Sequence, residues 1–147
     1  MKKKVIDFII LSIKDKIHLL QFELDSIKKE KNTLTKSSAG DKFETSRSSM
    51  QIEYDKIYNQ FIILKNQLKT IESIHVIGKK ANLGFGSIAK TKNSFYFISI
   101  GLGKYIVDNN VIYVISLLSP IGKLLNNKKI GDKILFNNKE ELILDIY

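Results

Sequence analysis

Residues 6–34 read IDFIILSIKDKIHLLQFELDSIKKEKNTL. Apolar side chains recur at Ile6, Ile10, Ile13, Ile17, Leu20, Leu24, Ile27 and Leu34, and Lys31 fills the remaining slot. The steps alternate between four and three residues, which keeps one stripe on one side of an α-helix. Sustained for four heptads, the alternation predicts a long helix with a coiled-coil seam. A second seam follows at Met50, Tyr54, Ile57, Phe61, Leu64, Leu68 and Ile71, with His75 in the next slot. Neither stretch contains Pro, and Gly40 is the only Gly before residue 78.

Between the seams lies TKSSAGDKFETS, residues 35–46. Ser, Thr and Gly in such density end helices and make turns. Two helices joined by a short break fold back antiparallel. With Leu34 opposite Met50, the reversal falls near residue 42 and the tip spans about 37–46. Arms of roughly 30 residues would then be about 45 Å long at 1.5 Å per residue. This assigns residues 1–75 to an antiparallel coiled-coil hairpin in a monomeric chain. The same heptads are compatible with a dimerisation rod.

After Ile74 the period changes. Residues 86–91, 94–100, 111–116, 132–136 and 141–147 are β-branched and aromatic runs, and they predict strands. Asn109-Asn110 and Asn137-Asn138 suit hairpin turns. In Ser119-Pro120-Ile121-Gly122-Lys123-Leu124-Leu125, Ser119 can cap and Pro120 suits a first helical turn, predicting a short helix. Gly84-Phe85-Gly86-Ser87 and Gly101-Leu102-Gly103-Lys104 complete no phosphate-binding loop and read as turns. The expected fold class is α+β, with residues 76–147 forming a small antiparallel sheet domain with one short helix.

Composition narrows the chemistry. The net charge is +9 over 147 residues, which favours acidic partners such as nucleic acid or an acidic protein groove. Arg47 is the only Arg, so bidentate guanidinium readout of bases is poorly supplied. The chain has no Cys, which excludes disulfides and thiolate metal sites, and His18 and His75 lie far apart. Lys2-Lys3-Lys4 precedes an apolar run, but Asp7 interrupts that run and no small-residue cleavage site follows. No apolar run is long enough to span a bilayer. The expectation is a soluble, cytoplasmic protein without a membrane partner.

The run Ser119-Pro120-Ile121-Gly122-Lys123-Leu124-Leu125-Asn126-Asn127-Lys128-Lys129-Ile130-Gly131-Asp132 resembles the S-P-[IM]-[AG]-x-x-L-x-x-[KR]-x-x-G-D pattern of the Gre family of bacterial transcript-cleavage factors. Gly86-Ser87-Ile88 is similar to the start of that family's C-terminal domain, and Gly40-Asp41-Lys42-Phe43-Glu44 matches its hairpin-tip motif G-D-x-x-E. The resemblance covers essentially the whole chain in the same order of parts. It implies an FKBP-like C-terminal domain. The isomerase activity of FKBP relatives is not implied, since fold alone suggests it.

The resemblance further implies an accessory factor rather than an enzyme. Its hairpin would enter the secondary channel of RNA polymerase and stimulate hydrolysis of backtracked RNA at the nascent 3′ end. Asp41 and Glu44 would help hold a second Mg²⁺ in the polymerase active site and orient the attacking water, with no cofactor bound stably by the free protein. The alternative for the pair is a capping box at the start of the second helix. Phe43 is either a staple against the opposite arm or a channel contact, and Arg47 is a candidate contact to RNA phosphate or acidic channel residues. Ser119, Pro120 and Ile121 are the candidate contact to the channel rim, or else simply cap the short helix. Where the family continues N-A-E-Y after the tip motif, this chain has Thr45, Ser46, Arg47 and Ser48. A base thus replaces a third acid, which keeps open a channel binder that tunes or inhibits polymerase without cleavage. A general coiled-coil adaptor is a third reading.

Overall fold

The structure is a computed structural model. It describes residues 1–36 and 40–147, with the backbone alone at 35, 36 and 40–42. Its elements run α1 (Lys2–Lys36), α2 (Gly40–Glu72), β1 (Ile88–Lys90), β2 (Phe95–Ser99), β3 (Gly103–Val107), β4 (Asn110–Ser116), α3 (Pro120–Leu125), β5 (Lys133–Phe136), β6 (Lys139–Leu142) and β7 (Asp145–Ile146). The class is α+β. The chain divides into two compact units, Ile10–Lys69 alone and Met1–Ile9 with Thr70–Tyr147.

The first of these units is the pair of long helices. Along α1 the seam positions Ile13, Ile17, Leu24 and Ile27 are buried, and Ile10, Leu20, Lys31 and Leu34 are half-buried. Along α2 the positions Met50, Tyr54, Ile57, Phe61, Leu64 and Leu68 are half-buried among exposed neighbours. Lys31 hydrogen-bonds Gln51, and the Lys28 ammonium lies 5.7 Å from the Tyr54 ring centroid. Leu34 and Met50 line one surface cavity, as do Leu20 and Leu64 nearer the other end. As numbers on α1 fall, those of their α2 partners rise, so the helices are antiparallel. The pairs are centred on positions 41–42.

The second helix starts earlier than the composition of residues 35–46 suggests. It begins at Gly40. The reason is legible in the register: counting back from Met50 by three and four reaches Arg47 and Phe43, and Phe43 is half-buried. One more half-buried seam residue continues the helix through the Thr/Ser-rich segment, so packing of the seam overrides weak local propensity.

The other unit is built on a five-stranded sheet in the order β3-β4-β2-β1-β7, with a two-stranded ribbon, β5-β6. Most pairings are antiparallel. The exception to the expected all-antiparallel sheet is β2 beside β4, which is parallel, with Phe95 opposite Ile112 and Phe97 opposite Val114. It arises because β3, read from sequence as part of a Gly-rich turn, is a strand between them in the chain. It takes the outer edge of the sheet and pairs with β4 across a two-residue turn. The run expected as one strand over 141–147 is also divided, between the end of β6 and β7.

Turn chemistry explains both hairpins. Asp108 and Asn109 have φ of 49° and 62°, and Asn137 and Asn138 have φ of 50° and 60°. Paired left-handed residues in a two-residue loop are the type I′ pattern, which matches strand twist and favours Asn and Asp. The first turn therefore sits one residue before the expected Asn109-Asn110.

The central strand β2 is buried along its whole length. One face of the sheet (Ala89, Tyr96, Ile98, Ile146) packs with Ile121 and Leu125 of α3 and with Leu83, Ile134 and Ile143. The opposite face buries Ile88, Phe95, Phe97, Ile112 and Val114. On that side the start of α1 approaches: the Phe8 and Tyr105 rings meet edge to face at 6.3 Å, and Lys4 pairs with Asp108 at 3.0 Å. Val5, Ile6 and Ile9 on the same turns of α1 are buried.

Candidate functional site

Asp41 is the second residue of α2, and Glu44 follows three positions later. Pairs at this spacing are neighbours on a helix surface. The side chain of Asp41 lies outside the described residues, whereas that of Glu44 is exposed. Because α2 begins at Gly40, Asp41 falls within the first turn instead of at the cap. An acid there complements the positive end of the helix dipole. Arg47, one turn beyond Glu44, is also exposed. Among the described residues, no three His, Asp or Glu side chains gather into a metal-ligand cluster. A pair of carboxylates suits Mg²⁺ only as a supplement to oxygen ligands supplied from elsewhere.

Along the arms the rings of Tyr54, Tyr58 and Phe61 stack in succession, with centroids 6.0 and 6.3 Å apart. The Lys28 and Lys65 ammonium groups lie 5.7 and 5.6 Å from the Tyr54 and Phe61 centroids. This basic and aromatic strip was not singled out from the sequence. Its signal was there in the i, i+4, i+7 spacing of three aromatic residues.

The run Ser119-Pro120-Ile121-Gly122 is a tightly specified helix start. The Ser119 hydroxyl donates to the Ser116 carbonyl (2.7 Å) and accepts from the Gly122 N–H (3.0 Å). Pro120 opens α3, where a missing N–H costs nothing. Ile121 is buried in the core of the unit. At Gly122 a Cβ would lie 2.0 Å from the Ser116 carbonyl oxygen, so only Gly fits. Of the three sequence candidates here, Pro120 is exposed, Ser119 half-buried and Ile121 buried. The accessible apolar group beside them is Leu118, 83% exposed. Gly131-Asp132, the end of the same motif, forms a turn: Gly131 has φ of 90°, and Asp132 Oδ2 accepts from the Lys129 N–H at 2.8 Å.

No protein-family model and no curated protein matches this chain. Among the described residues no helix is long and apolar enough to cross a membrane.

Proposed function

We propose that the protein is a Gre-like transcription elongation factor. In this reading the helical hairpin enters the secondary channel of RNA polymerase and stimulates cleavage of backtracked RNA, rescuing arrested complexes. The observation that carries it is the pairing of the long arms about positions 41–42. That symmetry puts the acidic pair of the G-D-x-x-E motif at the reversal end of a stiff two-helix unit. A stiff arm is what delivering two carboxylates to a deep active site requires.

Asp41 and Glu44 would be the residues that add oxygen ligands to a weakly held Mg²⁺ of the polymerase. A divalent ion there lowers the pKa of bound water and stabilises charge on the phosphate. The free protein acts as a carrier of those carboxylates and is not itself an enzyme. Leu118 and Pro120, exposed ahead of α3, are the surface offered to the channel rim. Monomeric action in the cytoplasm follows from this role.

The exposed Arg47 favours a second reading, a channel binder that tunes or inhibits polymerase without cleavage. One experiment separates them. A cognate RNA polymerase is stalled in a backtracked complex, and RNA shortening is followed with and without Mg²⁺. Cleavage faster with wild type than with Asp41→Ala/Glu44→Ala supports the first reading. Binding with equal, unstimulated cleavage supports the second, and failure to bind polymerase leaves a coiled-coil adaptor.

A further inference from the structure

A cavity of about 120 Å³ is lined by Lys2, Ser73, Ile74, His75, Lys80, Phe85 and Gly86. It lies within the unit formed by Met1–Ile9 and Thr70–Tyr147. Its charge is one-sided. Lys2 is only 8% exposed, and among the described residues no acid pairs with it. Asp7, the nearest carboxylate to Lys2 in sequence, and Glu72, next to Ser73, are both exposed, and neither lines the cavity. Burial, and then the neighbouring charge of Lys80, disfavour the Lys2 cation. The Lys80 ammonium donates to the Phe85 carbonyl at 2.7 Å, which leaves it further protons to donate.

Burying a cation beside a second cation is costly unless an anion compensates. Of the remaining polar lining, His75 brings an imidazole, whereas the Ser73 hydroxyl donates its proton to the Thr70 carbonyl at 2.7 Å. Lys2 is the first residue of α1, a helix with no acid in its first turn. The volume equals about four waters, enough for a compact oxyanion and too small for a nucleoside.

We infer that this cavity is a binding site for a phosphate group, held by the ammonium groups of Lys2 and Lys80 with the His75 imidazole beside them. The group is either free inorganic phosphate or the phosphate of a larger ligand whose remainder stays outside. The site is independent of the polymerase reading, since it uses neither the hairpin tip nor the turn before α3.

The test is a titration of the full chain, followed by amide NMR shifts, with inorganic phosphate, a nucleoside monophosphate, and sodium chloride at matched ionic strength. The expected result is a saturable change confined to Lys2, Ser73, His75, Lys80 and Gly86. Lys80→Met, at an exposed position, should weaken binding about tenfold or more, the effect of removing one charge-assisted hydrogen bond. Lys2→Met keeps the buried stem and removes the charge, so it should also abolish saturation. It should raise the melting temperature in phosphate-free buffer. Saturation by the monophosphate and not by inorganic phosphate assigns the site to the larger ligand. Shifts that merely follow the chloride control, or a Lys80→Met variant that binds as wild type, overturn the proposal. So does a Lys2→Met variant that melts lower than wild type without phosphate.

Discussion

The Tyr96 hydroxyl donates a 3.1 Å hydrogen bond to Glu141 Oε1, tying the central strand of the five-stranded sheet to the separate β5-β6 ribbon. Tyr96 also stacks on Tyr113 at 5.6 Å between ring centroids. The other oxygen of Glu141 is buried and has no partner among the described residues. One hydroxyl therefore satisfies what is satisfied of this carboxylate, and the pair is exposed to pH.

Burial, and then the charge and hydrogen bond of Glu141, hold the Tyr96 phenol well above its ordinary value of 10.0. A group whose pKa is raised on folding keeps its full stabilising contribution below its unfolded pKa. It loses that contribution as pH climbs from there toward the folded value. Stability should therefore decline above pH 10, and Tyr96→Phe should flatten that decline. At pH 7 the same substitution should cost about 1–3 kcal/mol, because it leaves Glu141 Oε1, a part-buried carboxylate oxygen, without its donor. Urea unfolding of both proteins between neutral and strongly alkaline pH measures both effects.

The start of α3 should be sensitive in a graded way. Ser119→Ala removes a cap and should destabilise by about 1 kcal/mol. Gly122→Ala forces a Cβ against the Ser116 carbonyl oxygen, which cannot move without breaking its bond from Ser119. Its cost should be larger, about 3 kcal/mol. Thermal unfolding that ranks Ser119→Ala as the more damaging variant would contradict this account of the motif.

Register along α1 can be checked by two leucines. Leu24 is 2% exposed and Leu19 is 66% exposed. Leu24→Ala should cost about 2 kcal/mol or more, whereas Leu19→Ala should stay within about 0.5 kcal/mol. Chemical denaturation followed by helical circular dichroism, with light scattering to confirm a monomer, makes the comparison. Equal costs would mean that the seam runs elsewhere.

If Arg47 opposes cation capture at the tip, reversing its charge should help. Arg47→Glu should raise transcript cleavage several-fold at limiting Mg²⁺ and have little effect at saturating Mg²⁺. The readout is the rate of RNA shortening in a backtracked complex across a Mg²⁺ series. No change at any Mg²⁺ level would remove Arg47 from the account of the tip.

The features legible in the sequence share one property: each is set by residues near one another in the chain. Heptad spacing marked the seams from Ile6 to Leu34 and from Met50 to Ile71, because helical packing repeats every three or four residues. Asn137-Asn138 announced a turn because left-handed residues in sequence make one. Ser119 and Pro120 announced α3 because caps act over three residues. At the hairpin end, positions 41 and 44 stood out by motif, whereas the early start of α2 at Gly40 depended on extending the register through Phe43.

What only the tertiary structure decided is non-local. Strand β3 escaped notice because its Gly-rich start looks like a turn until β4 is beside it, although Tyr105, Ile106 and Val107 are β-forming residues. The parallel pairing of β2 with β4 has no local signature at all. Ile121 of the Ser-Pro motif turned inward because α3 lies on a sheet face that the sequence around it does not encode. The bond between Tyr96 and Glu141 and the cavity joining Lys2 to Lys80 unite residues 45 and 78 positions apart. Local spacing determines which segments are helices, strands and turns, but burial and charge at such places are set by which distant segments the packed core brings together.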